Sequence, residues 1–293
     1  MQNNNLIMVT THQDNLNIFK LIDSIDSNIV NIKVLLLVVS QECKIVYKSK
    51  SPLLTIVFID ELKMGLSKAR NIALNYLSQN TISSEYVMFP DDDSSFDQDF
   101  FVNFSIILNT NKCYITPIYN EGTKDLYFGK KTKDNKLILP EDHQLIGSPN
   151  QIILYDYFRE NIHFNEELGL GAMYGSCEDF DLFLNIYLKG NSFFFINSIY
   201  NYHPKKTAAY NKMKIFDIVK RFNNYSTGFA YVLFKYKIFA LIPEYLIRTF
   251  GAFVVFGFRL KFKLSLAYLI QFFLRIRLLF KFWFNKSLIT KSE

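Results

Sequence analysis

The chain has 293 residues, 49% of them hydrophobic, with 30 Phe and 18 Tyr, which excludes a disordered polypeptide and allows a sizeable core. Its net charge of +6 hides a split: residues 1–202 hold 16 Lys and Arg against 24 Asp and Glu, whereas residues 203–293 hold 17 against 3, implying two environments rather than one. Three scattered cysteines, Cys43, Cys113 and Cys177, exclude a disulfide framework and read as free thiols in a reducing compartment.

In chain order, the first half alternates strand-like and helix-like patterns. Leu6–Thr10 reads as a short strand, followed by a polar turn Thr11-His12-Gln13-Asp14. Leu16, Phe19, Ile22 and Ile25 fall on one face of a helix. Val34–Val39 is a continuous apolar run of the kind buried on both faces of a parallel sheet, and Leu53–Ile59 is a third strand. Gly65–Leu77 has helical periodicity. Tyr86–Phe89 is a fourth strand, Phe100–Leu108 a helix and Tyr114–Ile118 a fifth strand. Residues 120–149 read as a polar loop or small hairpin. Gln151–Tyr155 restores order, Glu178–Leu188 is a helix stopped by Gly190, and Ser192–Ile196 is a strand. Such alternation implies an α/β fold with a parallel sheet.

From about Phe229, aromatic and aliphatic residues interleave with Lys and Arg, as in Arg259-Leu260-Lys261-Phe262-Lys263. No run of about 20 uncharged apolar residues occurs. The pattern is that of basic amphipathic helices lying on an anionic membrane surface; a helical subdomain packed on the body is the alternative. With no basic segment leading into an apolar stretch near Met1, the chain is expected on the cytoplasmic side, peripheral on the inner face of the cell membrane.

Two acidic constellations carry the chemistry. Asp91-Asp92-Asp93 ends the Tyr86–Phe89 run, so it brings oxygen ligands to a sheet edge. Three adjacent anions repel one another, and Mg2+ or Mn2+ shared with a substrate phosphate would stabilise them. The second, Glu178-Asp179-Phe180-Asp181, follows the glycine-containing stretch Gly169–Cys177. Acids in the first turn of a helix favour its dipole, but a carboxylate there can also serve as a general base.

The order of these pieces resembles the family 2 glycosyltransferases of the GT-A fold. Four stretches match within residues 6–205: Met8-Val9-Thr10-Thr11, Gly65–Ala73, Asp91-Asp92-Asp93, and Phe164–Gly169 through Glu178-Asp179-Phe180-Asp181-Leu182. The resemblance implies a Rossmann-like mixed, mainly parallel sheet flanked by helices, built as a nucleotide-sugar-binding half (1–119) and an acceptor half (120–205). A basic amphipathic helical region (206–293) would follow. It implies donor contacts from Thr10, Thr11, Arg70, Asp91, Asp92 and Lys205, and a Mn2+ or Mg2+ ion held by Asp93, Asp91 and His203. Asp179 would be the general base, with Glu178 the second candidate. Where the family often has an Asp-Asp-Gly-Ser turn, this chain has Val39-Ser40-Gln41-Glu42. Gln41 is the candidate base reader, which leaves the donor open between a UDP-sugar and a dTDP-sugar.

The absence of a Gln-x-x-Arg-Trp motif favours single sugar addition over processive synthesis. The implied acceptor is a saccharide, lipid-linked as in bacterial O-antigen or capsule assembly, and no nucleic-acid partner is expected. A sugar-nucleotide pyrophosphorylase would need a glycine-rich loop, and the chain has no glycine before Gly65. A catalytically inactive membrane-associated scaffold is the remaining rival.

Overall fold

The computed structural model describes residues 3–13, 17–129, 132–160, 162–205, 210 and 213–285. Leu16, Asp14 and Lys206 lie outside the described residues. The chain divides into two compact units, one of residues 1–165 with 182–205, the other of 166–181 with 206–293.

The first unit is built on an eight-stranded sheet of order β3-β2-β1-β4-β8-β5-β9-β7. Its strands are β1 (Asn3–Gln13), β2 (Val34–Gln41), β3 (Leu54–Glu61), β4 (Ser83–Met88), β5 (Cys113–Ile115), β7 (Leu137–Ile138), β8 (Gln151–Leu154) and β9 (Phe193–Phe195). β1 is parallel to both β2 and β4, and β2 to β3. β8 is antiparallel to β4 and β5, so the sheet is mixed. β2 is buried along its whole length, which is why its sequence is an unbroken apolar run. Helices α1 (Asn17–Asn28), α2 (Leu66–Gln79) and α3 (Gln98–Ile107) flank this sheet. α1 buries Ile18, Leu21, Ile22 and Ile25, with Phe19 partly covered.

Two sequence expectations are corrected. Thr11–Gln13 is strand, not turn: β1 stays in register with β2 through His12↔Ser40 and Gln13↔Gln41. Polar residues can extend a strand when a parallel partner takes their backbone groups. Tyr114–Ile118 is two strands in different sheets. β5 ends at Ile115, and β6 (Ile118–Asn120) pairs in parallel with β10 (Asn201–His203) in a separate two-stranded sheet. Pro117, which has no N–H to donate, lies at the break. The 120–149 stretch, read as a polar loop or small hairpin, contains β7, which pairs with β9, the 3-10 turn Pro140–Leu145 and the start of a second at Ser148–Asn150.

β1 leads to β2 on one side, while β4 lies on its other side. The strand order reverses there, and the crevice beyond the carboxyl ends of β1 and β4 is where an open α/β sheet binds ligands. Asp91–Asp93 follow the end of β4 after Phe89 and Pro90.

The second unit holds α6 (Ile215–Lys235), α7 (Ile242–Phe258) and α8 (Phe262–Phe284), together with the segment 166–181. Helices α4 (Asp156–Arg159) and α5 (Glu178–Leu188) precede them in the chain. Tyr245 donates its hydroxyl to Ser226 O at 2.8 Å, and Gln271 Nε2 donates to Ser226 Oγ at 3.1 Å, tying the three helices together. Among the described residues one segment, Phe239–Phe258, is long and apolar enough to cross a membrane; only 17% of its most apolar stretch is buried.

Candidate metal and donor site

The loop after β4 turns immediately, with Ser94 N donating to Asp91 O at 3.0 Å. This turn points successive aspartates away from the strand. β10 brings His203 to them. Its Nε2 lies 2.8 Å from Asp93 Oδ1 and 3.5 Å from Asp91 Oδ2. The ligand atoms of Asp91, Asp93 and His203 all fall within 4.8 Å of one another.

His203 is held in a chosen orientation. Its Nδ1 is 3.1 Å from Pro204 O, and only a protonated Nδ1 can donate to a carbonyl. Nε2 is thereby directed at the carboxylates, the arrangement that suits a metal-binding imidazole. The Tyr127 ring packs on the imidazole at 4.2 Å between centroids. Burial disfavours the charged ring, but hydrogen bonds to Asp91 and Asp93 outweigh it and raise the His203 pKa to about 9. Two carboxylates and one imidazole form a hard, anionic donor set that fits Mn2+ or Mg2+.

Arg70 sits behind this group. It is 1% exposed on α2. Its Nη1 donates to Ser148 Oγ at 2.8 Å, and its Nη2 lies 3.6 Å from Asp91 Oδ1. The guanidinium is flanked by the rings of Phe164 and Phe89 at 5.2 and 5.8 Å. Planar, delocalised charge packs against aromatic faces in a way that lysine cannot match. Arg70 is therefore a fixed internal cation that sets the position of Asp91.

The other donor-side candidates are placed as follows. Gln41 is 2% exposed; its Oε1 accepts from Gln13 Nε2 at 3.0 Å and from Met64 N at 2.8 Å, while its Nε2 donates to Thr11 Oγ1 at 2.8 Å. This amide ties the ends of β1 and β2 to the loop before α2. Thr10 is fully buried, Thr11 half-buried and Lys205 exposed. Asp92 is half-buried between the two aspartates that face His203.

No protein-family model matches the chain, and no curated protein matches its sequence. Among solved structures it is similar to S. aureus TarS 1–349, with TM-score 0.51 and 14% identity, covering 96% of this chain and 92% of that one. It is also similar to the mannosyltransferase PcManGT from Pyrobaculum calidifontis in complex with GDP-Man and Mn2+. There the TM-score is 0.52 and the identity 12%, over 78% of this chain and 64% of that one. The fold is GT-A. TarS 1–349 in complex with UDP-GlcNAc is matched over 65% of its chain, so this chain spans just under two thirds of that relative.

In GT-A terms the second acidic constellation opens α5, whose first turn belongs to the second unit. Glu178 is buried and Asp179 half-exposed, so Asp179 presents the more accessible carboxylate. The chain enters this helix through Cys177 at φ 69°, a left-handed conformation unusual for a non-glycine residue. Burial and the adjacent acids push the Cys177 thiol pKa up, so it stays neutral. The entry segment is seated on α6: Ser176 Oγ donates to the carbonyls of Asn224 and Tyr225, each at 3.3 Å.

Ser148, Tyr127, Phe89 and Phe164 were not among the sequence candidates. Ser148 is 78 residues from Arg70, and no local pattern marks a contact at that separation.

Proposed function

We propose that the chain is a metal-dependent glycosyltransferase that moves a single sugar from a nucleoside-diphosphate sugar to a saccharide hydroxyl. The observation that carries this reading is the convergence of Asp91, Asp93 and His203 where the strand order of a GT-A sheet reverses. A similar fold has been solved with GDP-Man and Mn2+, which supports a nucleotide sugar and a divalent cation here.

A divalent cation bound by Asp91, Asp93 and His203 would neutralise charge on the diphosphate as it leaves. The protein's own groups do the rest. Arg70 holds Asp91 in place, and Asp92 with Asp91 is assigned to the ribose and diphosphate. Thr11 and Lys205 are further donor contacts, and Gln41 and Thr10 shape the strand ends beneath them. Asp179, with Glu178 as second candidate, takes the proton from the acceptor hydroxyl. That oxygen bonds to the anomeric carbon while the bond to the diphosphate oxygen breaks, which inverts the centre. The transition state has oxocarbenium character.

The acceptor is read as a lipid-linked O-antigen or capsule intermediate, and the chain as peripheral on the inner face of the cell membrane. The support is the basic, aromatic α6–α8 region. A catalytically inactive GT-A scaffold is the second reading, and the retained Asp179 weighs against it.

The test is a thermal-shift screen of UDP-, dTDP- and GDP-sugars with Mn2+ or Mg2+, followed by transfer assays. Stabilisation by one nucleotide sugar only when the cation is present is expected. Asp179→Asn should retain that stabilisation and lose transfer by about 10²–10⁴-fold. Full transfer by this variant would remove the base assignment.

A further inference from the structure

We infer that the turn joining α7 to α8, residues 258–263, is the element that inserts into an anionic bilayer surface. This rests on the peripheral-membrane reading above and names the part of the chain that makes the contact. Phe258, Leu260 and Phe262 are 85%, 74% and 68% exposed, and they alternate with Arg259, Lys261 and Lys263. Apolar side chains held in water forgo the gain of burial, and the interleaved cations match lipid phosphates. From Tyr245 to Asn285 the chain has seven Lys or Arg and no Asp or Glu, so the whole hairpin is complementary to an anionic surface.

The backbone adds an independent reason. α7 ends in a Schellman arrangement: Lys261 N donates to Phe256 O at 2.9 Å, and Leu260 N donates to Gly257 O at 3.0 Å. The residue that must adopt the left-handed conformation there is Leu260, at φ 54°. Glycine is the usual occupant because it has no Cβ to clash. Leu260 keeps the strain and, being largely exposed, gains little packing within the chain. Strain held without internal return points to an external contact.

The hairpin below the turn is locked, so the apolar tip needs little ordering before it binds. Ser265 Oγ donates to Phe253 O at 2.9 Å, and the Phe256 and Tyr268 rings stack at 5.4 Å. Insertion of the turn also leaves the Glu244–Arg248 pair of α7, 3.1 Å apart, outside the hydrocarbon that a spanning helix would force it to enter.

The test is flotation of the full chain with phosphatidylcholine vesicles, with and without phosphatidylglycerol. The wild type should float with the anionic vesicles. Leu260→Gly suits the turn, so it should keep or raise the Tm while lowering vesicle partitioning severalfold. The triple variant F258S/L260G/F262S should lower partitioning at least about tenfold and keep the nucleotide-sugar thermal shift. In a W283F background, L260W fluorescence should be quenched by lipids brominated in their acyl chains. If the variants float like the wild type and no quenching occurs, the turn is not the inserted element and the peripheral reading stands. A wild type that floats with neither vesicle overturns both. A dimer that the triple variant dissolves, with no flotation, assigns the turn to a second copy and overturns the inference.

Discussion

Lys235 Nζ lies 2.7 Å from Asp181 Oδ1, joining the last turn of α6 to the first turn of α5 through a pair whose carboxylate side chain is 3% exposed. Tyr236 donates its hydroxyl to Asp181 O at 3.2 Å, and Tyr231 donates to Glu167 Oε2 at 3.0 Å. The acidic segment 166–181 therefore depends on α6 for its position. Cutting the chain near residue 228 would remove Tyr231, Lys235 and Tyr236 along with the membrane candidate helices, so such a truncation reports on both at once. Point variants separate the two.

Lys235→Met should cost about 3 kcal/mol, because it leaves a buried carboxylate without its cation. The double variant D181N/K235M should recover most of that loss. Urea denaturation measures both; a double variant no more stable than the single one would show that the pair is not the cause.

Glycine replacements on two helices should have opposite signs. A Cβ on Gly228 would meet Ser176 O at 2.3 Å and Ser176 Oγ at 2.5 Å, whereas one on Gly251 meets nothing within 4 Å. Gly228→Ala should destabilise by about 1–3 kcal/mol through overpacking and disturb the entry to α5. Gly251→Ala should stabilise by about 0.5–1 kcal/mol through helix propensity. Thermal melts of the two variants side by side decide the matter.

Arg70 is fixed by Ser148, Phe89, Phe164 and Asp91 rather than by solvent. Arg70→Lys keeps a positive charge but loses the planar contacts, so it should weaken nucleotide-sugar binding more than Lys68→Ala on the same helix. Arg70→Ala should also lower stability by about 2–4 kcal/mol, since it opens a cavity and strands polar groups. Equal donor affinity in Arg70→Lys and wild type, measured by titration calorimetry, would contradict the assignment.

The pH dependence of the cluster has a defined sign. His203 is raised from 6.5 to about 9 in the folded chain, with the carboxylates overcoming the effect of burial. Without added cation, its stabilising contribution is complete below about pH 6.5 and is lost as pH rises through about 9. A cation at Nε2 requires the neutral ring, so stabilisation by Mg2+ should be smallest near pH 6.5 and grow toward pH 9. His203→Gln should flatten this growth. Tm measured with Mg2+ and with chelator across that range checks it; an increment that does not change with pH would be inconsistent with His203 as a ligand.

Much of the chain was legible because local pattern carries it. The unbroken apolar run of β2 follows from burial on both faces, and Asp91–Asp93 mark the end of β4 because a buried strand cannot hold three carboxylates. The acids opening α5 are legible for the same local reason, with the helix dipole favouring them at that end. These features need only neighbours in sequence.

Other features depend on partners far along the chain. The Thr11–Gln13 stretch reads as a turn until Ser40 and Gln41 pair with it, since polar composition outweighs strand propensity in a short window. The break before Pro117 separates two sheets, which periodicity over five apolar residues does not reveal. Arg70 has the spacing of a surface helix arginine, and only Ser148, Phe89 and Phe164 bury it. The sequence by itself determined the alternating order of strands and helices and the carboxylates they carry, because periodicity and strand ends are short-range. The family resemblance already grouped His203 with Asp91 and Asp93. Tertiary structure alone decided that the His203 ring is held by Pro204 O, that Arg70 is internal, and that residues 166–181 are seated on α6. The last two join segments whose proximity is set by packing rather than by any pattern either segment holds alone.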